Sequence, residues 1–117
     1  LEMDAHARAA EVFADVARRR LARDPDDPAA QRARFYRGVA LIALERETEG
    51  DALMADACDR IAELGAHATP TGQRVIRELA QRRLDQGRRA EARSLAEALD
   101  PSGDANRALL DRLETGG

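Results

Sequence analysis

Apolar positions along the chain recur at helical spacing, and one stretch is apolar on nearly every side. In residues 34–46, Phe35, Val39 and Ile42 fall on one helical face, while Leu41 fills part of the remainder. A helix of this kind must be covered by neighbours on several sides. We therefore expect it to be the central helix of an all-α domain with about six helices.

Proline and aspartate mark the boundary between the first two helices. Residues 3–23 carry an amphipathic pattern, and Pro25 then forces Asp24 out of the helical region. Asp27 is a typical N-cap residue, and Pro28 suits the first position of a helix. The central helix is therefore predicted to start sharply after Asp27.

Glycines mark the later boundaries. The central helix should fade near residues 46–49, with Gly50 as its left-handed stop and Asp51 as the next N-cap. Gly65 and Gly87 should end the third and fourth helices in the same way. Apolar stripes predict these two helices and two more, at Met54-Cys58-Ile61-Leu64, Val75-Ile76-Leu79-Leu84, Ala92-Leu95-Ala96-Leu99 and Ala105-Leu109-Leu113.

Composition narrows the class of protein. The 117 residues suit one helical repeat-like domain over residues 1–117, which can be a fragment of a larger protein. The net charge is -3, and residues of both signs are interspersed along the chain. This pattern favours binding neither to nucleic acid nor to a membrane surface. The longest apolar run is far shorter than the roughly 20 residues of a membrane span, so we expect no membrane insertion. All 19 basic residues are Arg, which is typical of a GC-rich bacterial genome.

Candidate chemistry is sparse. His6 and His67 have no partner at ligand spacing, so no metal site is predicted. Cys58 lies in an apolar stripe, where a small buried thiol is favoured over a reactive one. The lone cysteine leaves the compartment undetermined, with the cytoplasm favoured. We expect neither an enzyme nor a cofactor.

Residues 74–101 carry small and apolar residues at regular positions on two successive predicted helices, followed by a proline: Ile76, Leu79, Ala80, Gly87, Ala92, Ala96 and Leu99-Asp100-Pro101. In these positions the segment resembles a unit of the tetratricopeptide repeat family, whose units are helix-turn-helix pairs of about 34 residues. Tyr36, Gly38 and Ala40 resemble the first helix of another unit. The chain departs from the family at Arg83, where an aromatic residue is expected. The resemblance implies antiparallel helical hairpins stacked as a short array; a helical-hairpin bundle without repeats is the alternative.

In that family, the first helices of successive units line a concave groove that binds peptides. The resemblance therefore implies partner-binding residues at Arg32, Phe35, Arg74, Arg77 and Gln81. The arginines would hold an acidic peptide, and Phe35 would be an apolar anchor. The competing interpretation is that these are ordinary exposed arginines paired with nearby carboxylates, such as Arg74 with Glu78.

Two functional hypotheses follow. The first is a non-catalytic protein–protein interaction module, an adaptor or scaffold, which binds a peptide or partner protein in a helical groove. The second is a structural or regulatory helical bundle that associates with further copies of itself.

Overall fold

The computed structural model describes residues 2–115 and consists of helices joined by short turns. Within these residues there are six helices and no strand, which confirms the predicted all-α class with about six helices. The helices are α1 (Glu2–Arg23), α2 (Pro28–Ala43), α3 (Glu47–Glu63), α4 (Pro70–Asp85), α5 (Arg89–Ala96) and α6 (Asp104–Thr115).

The chain divides into two compact units, one ending at Ala66 and the other beginning at His67. The first unit contains α1, α2 and α3, and the second contains α4, α5 and α6. A single domain over residues 1–117 stays a prediction, as does the stacking of the hairpins into an array.

In the first unit, α2 packs against both α1 and α3, as expected for a central helix. Arg34 and Asp56 are joined across α2 and α3 at 2.6 Å, while Gly38 lies against Gly50, so these two helices run antiparallel. The largest side chains with no exposure in this unit belong to Phe35, Met54 and Ile61. They form an apolar core between the helices.

The predicted cap of α2 is confirmed, and α4 begins with a cap of the same kind. Asp27 accepts a hydrogen bond from the backbone N–H of Ala29, and Pro28 takes the first helical position. Thr69 Oγ1 accepts from the backbone N–H of Gly72 at the start of α4. Both helices therefore begin where a local side chain satisfies an otherwise unpaired backbone donor.

The predicted boundary between α2 and α3 is wrong. α2 ends at Ala43, and the left-handed position is taken by Glu45 at φ 65°, although glycine is usual there. The backbone N–H of Arg46 donates to Leu41 at 2.9 Å and closes the helix end. Gly50 lies inside α3, where its missing side chain lets the backbones of the two helices approach.

The other two glycine predictions are confirmed. Gly65 and Gly87 follow α3 and α4 with φ of 71° and 77°. In each case the next residue donates its N–H back into the last helical turn, from Ala66 at 3.0 Å and from Arg88 at 2.8 Å. Three successive helices therefore end in the same backbone motif.

In the second unit, α4 packs against α5, and α6 contacts both of them. The buried apolar residues are Val75, Ile76, Leu79, Ala80, Ala92, Ala96, Leu99, Leu109 and Leu113. α6 contributes a narrow stripe to this core, through Leu109 and Leu113, with buried Asn106 one turn before them. This helix is therefore held by few apolar contacts.

Candidate functional site

The residues implied as partner-binding fall into both units. Arg32 and Phe35 lie on α2, whereas Arg74, Arg77 and Gln81 lie on α4. The two sets therefore belong to separate units.

Phe35 cannot be the apolar anchor expected from the resemblance, because its side chain is 0% exposed. Its ring meets the ring of Tyr36 edge-on, with centroids 5.6 Å apart. The reason is the position of α2 between α1 and α3, which covers this face. Arg32 is exposed on the same helix. The α2 part of the expected groove therefore offers a cation without the apolar anchor.

A polar ladder at four-residue spacing joins α4 to α6 and to the turn before it. Its first member, Gln73, was not singled out from the sequence. The Gln73 Nε2 group donates to the carbonyl oxygens of His67 at 2.7 Å and Ala98 at 2.8 Å. Its Oε1 atom accepts from the backbone N–H of Asp100 at 2.8 Å and from Asn106 Nδ2 at 3.0 Å. One side chain thus uses all its polar capacity to hold the second unit together.

Arg77 and Gln81 continue this ladder one and two turns further along α4. The Arg77 Nη1 group donates to Asn106 Oδ1 at 3.1 Å. Gln81 Oε1 accepts from Arg112 Nη1 at 2.7 Å, and Gln81 Nε2 donates to Asp85 Oδ1 at 2.8 Å. Both predicted site residues therefore lie against α6 of the same unit, and this contact defines their surroundings.

A groove of about 340 Å³ runs between α4 and α6 beside this ladder. It is lined by Arg77, Glu78, Gln81, Ala105, Ala108, Leu109 and Arg112. Ala105, Ala108 and Leu109 supply apolar surface, the guanidinium groups of Arg77 and Arg112 supply positive charge, and the carboxylate of Glu78 supplies one negative charge. The Nη2 group of Arg112 also lies 3.8 Å from Asp85 Oδ1. A guanidinium carries five N–H donors, and the bond to Asn106 uses a donor of only one Arg77 nitrogen. The groove therefore combines apolar contact with donors suited to a carboxylate.

The pairing proposed for Arg74 is present. Its Nε group lies 3.4 Å from Glu78 Oε1 across one helical turn, and the Arg74 side chain is exposed. An exposed pair of this kind contributes little to stability. Arg74 thus fits the simpler interpretation, that of a surface arginine paired within its own helix.

Much of the positive excess seen in residues 74–93 is used inside the second unit. Arg83 is 4% exposed and donates to Gln86 Oε1 at 3.1 Å. Arg89 donates through Nη2 to the carbonyl oxygen of Leu113 at 2.7 Å, and Arg93 donates to the same oxygen at 3.3 Å. Carbonyls near the end of a helix lack partners within it and favour cations. Arg89 and Arg93 therefore hold the last turn of α6.

The remaining candidates from the sequence are the lone cysteine and the possible metal ligands. Cys58 is buried in α3, which confirms the expected buried thiol. Among residues 2–115, no group of three or more His, Cys, Asp and Glu side chains is arranged to hold a metal ion. None of the helices in this range is both long and apolar enough to cross a membrane.

Comparison of the chain with protein-family models, curated proteins and solved structures gave no match. The resemblance to tetratricopeptide repeats therefore stays a prediction.

Proposed function

We propose that the protein is a non-catalytic protein–protein interaction module, and that its α4/α6 groove binds a short acidic segment of a partner. The observation that carries this proposal is the placement of Arg77 and Arg112 beside an apolar groove lined by Leu109. Arg77 and Gln81, implied as partner-binding from the sequence, both line it.

The groove favours a particular peptide chemistry. Its volume of about 340 Å³ is near the lower end of small-molecule sites and suits one or two side chains. The alanine and leucine surface would accept a small aliphatic residue. An Asp or Glu next to it would accept charge-assisted hydrogen bonds from the two arginines. The expected ligand is therefore an aliphatic residue adjacent to a carboxylate.

The fixed surroundings of the groove support recognition of one peptide class. Arg77 is held by Asn106, and Arg112 is held by Gln81, so both guanidinium groups are oriented before a ligand arrives. Groups oriented in advance lose less conformational entropy on binding. The same bonds that fix α6 would thus serve recognition.

The test is peptide selection on the full chain from a phage-displayed random library, followed by fluorescence anisotropy with the enriched peptide. We expect enrichment of Asp or Glu beside an aliphatic residue. Arg112→Glu should weaken binding about tenfold or more, because it replaces a charge-assisted hydrogen bond with repulsion.

Arg107→Glu is the matched control. Arg107 lies on the same helix with similar side-chain exposure, pairs with Asp111 at 3.3 Å, and does not line the groove. This variant should bind as the wild type does. Equal binding by the Arg112→Glu variant would place the site elsewhere, and a selection without enrichment would overturn the proposal.

A further inference from the structure

Helix α1 presents an apolar face that is not directed at α2. The face turned toward the core carries Ala10 and Ala17, which are buried, and Phe13, whose ring centroid is 5.8 Å from that of Tyr36. Val12 points elsewhere, because its side chain is 58% exposed and is one of the few large exposed apolar groups of the described chain.

Val12 belongs to a stripe formed by Ala5, Ala9, Val12 and Val16. The spacing of four, three and four residues keeps these side chains on one side of a helix. Ala5 is exposed, while Ala9 and Val16 are half-buried. This is the seam spacing that two helices use when they pack side by side.

The order of residue sizes along this stripe favours an antiparallel partner of the same sequence. Its small members come first and its large members come second. In an antiparallel pair, Val12 would meet Ala9 of the other copy, and Val16 would meet Ala5. Each large side chain then fits against a small one, whereas a parallel pair would place valine against valine and alanine against alanine.

The charged residues beside the stripe also favour an antiparallel pair of helices. Arg8 and Asp15 flank the stripe on one side of α1. An antiparallel pair brings Arg8 of one copy beside Asp15 of the other, twice across the interface. In a parallel two-fold pair, the flank that carries Arg8 and Asp15 lies on opposite sides of the seam in the two copies, so these side chains do not meet across the interface. The contact between opposite charges is therefore made only in the antiparallel arrangement.

We propose that the protein forms a two-fold symmetric dimer in which the Ala5-Ala9-Val12-Val16 face of α1 packs antiparallel on the same face of a second copy. The axis passes between Ala9 and Val12, so each copy contributes the same surface. This proposal does not depend on the peptide groove, which lies in the other unit.

The dimer is expected to be weak, because one helix face is smaller than a standard protein interface. Asp15 also bonds Arg18 and lies 3.0 Å from Arg19 within its own helix, so its contact with the second copy is shared. Exposed ion pairs contribute mainly to orientation here, and the apolar seam supplies the affinity.

The first test is sedimentation velocity of the full chain in a concentration series reaching about 1 mM. We expect a shift from monomer to dimer. Val12→Asp should weaken dimerisation about tenfold or more by placing a charge in the seam. Its circular dichroism should stay that of the wild type, because Val12 is exposed in the monomer. Ala22→Asp, at an exposed position off the stripe, is the control.

A charge exchange then tests the orientation. Arg8→Asp and Asp15→Arg should each weaken the dimer, and the double variant should restore it, because each copy again meets opposite charges. A chain that stays monomeric throughout the series, or a dimer unaffected by Val12→Asp, overturns the proposal. Failure of the double variant to regain association rules out the antiparallel register.

Discussion

The α2/α3 and α4/α5 hairpins have similar turns but different interiors. In the first, Gly38 and Gly50 face each other, and a Cβ built on Gly50 would lie 2.5 Å from the carbonyl oxygen of Gly38. In the second, the side chains of Ala80 and Ala92 are buried, and Arg83 lies within the interior. The first hairpin thus packs backbone against backbone, while the second keeps room for small and polar side chains.

This difference explains why the candidate site lies in the second unit. Closely packed backbones and fully buried Phe35 and Met54 leave the first hairpin with an apolar interior. The second hairpin exposes polar groups along α4, and α6 covers them through Gln73, Arg77 and Gln81. Polar contacts between α4 and α6 are what provide oriented donors beside a groove.

The largest effect should come from filling the space between α2 and α3. Gly50→Ala is expected to lower the free energy of unfolding of the first unit by about 1–3 kcal/mol, because the added methyl meets backbone atoms that cannot rotate away. The better helix propensity of alanine returns roughly 1 kcal/mol at most. Urea denaturation monitored by tyrosine fluorescence measures the free energy of unfolding of the first unit, since Tyr36 is the one tyrosine and there is no tryptophan.

Gly103→Ala is the control for that experiment. A Cβ at Gly103 would have only Asn106 Nδ2 near it, at 3.9 Å, and the residue has no positive φ. It should leave the tyrosine-detected transition in place. A Gly50→Ala variant as stable as this control would contradict the close approach of the two backbones.

Substitutions in the two hairpin turns should have smaller effects on the free energy of unfolding, and these effects should be of opposite sign in the two units. Glu45 and Gly87 hold the same left-handed position, at φ 65° and 77°. Glu45→Gly should stabilise the first unit, and Gly87→Glu should destabilise the second, each by about 1 kcal/mol, since a side chain in this conformation costs roughly that amount.

Tyrosine fluorescence reports the first change, and circular dichroism, which sums all helices, reports the second. If Glu45→Gly proves destabilising, the Glu45 side chain contributes an interaction that exceeds its backbone strain. Gly87→Asn should cost less than Gly87→Glu, because asparagine tolerates the left-handed region.

The smallest predicted effect is a loss of stability at low pH. Asp100 accepts hydrogen bonds from the backbone N–H of Ser102 at 2.9 Å and from its hydroxyl at 2.8 Å, and these lower the pKa of Asp100 below its ordinary value. Because the pKa of Asp100 is lower in the folded state, Asp100 contributes to the free energy of unfolding. This contribution is complete above the unfolded-state pKa of about 3.9 and is lost as the pH falls through the folded-state pKa.

An NMR titration of the Asp100 carboxyl group measures this shift. In the Ser102→Ala variant the midpoint should move back toward the ordinary value, but only partly, because the backbone bond remains. A midpoint at or above about 3.9 in the wild type would show that these two bonds do not form in solution.

Local signals predicted most of the helix boundaries. Asp27 and Pro28, Gly65 and Gly87 act within one turn of their own position, so their role can be read from neighbouring residues. Gly50 could not be assigned in this way. A glycine permits either a left-handed stop or a close approach, and only the partner helix decides between them.

The candidate site was predicted less completely for a related reason. Arg77 and Gln81 do line a groove, but their partners are on α6, and Asn106 lies 29 residues from Arg77. No local pattern identifies such a pairing. Phe35 shows the opposite case, because an almost wholly apolar helix already indicated that its side chains would be covered.

The four hydrogen bonds of Gln73 have a consequence for how the second unit opens. They tie the segment before α4, the residues just after α5, the turn at Asp100 and the start of α6 to one side chain. None of these segments can loosen without disturbing the others. The residues just after α5 and the start of α6 should therefore open as one cooperative element, with backbone amides that exchange with solvent deuterium together and not one helix at a time.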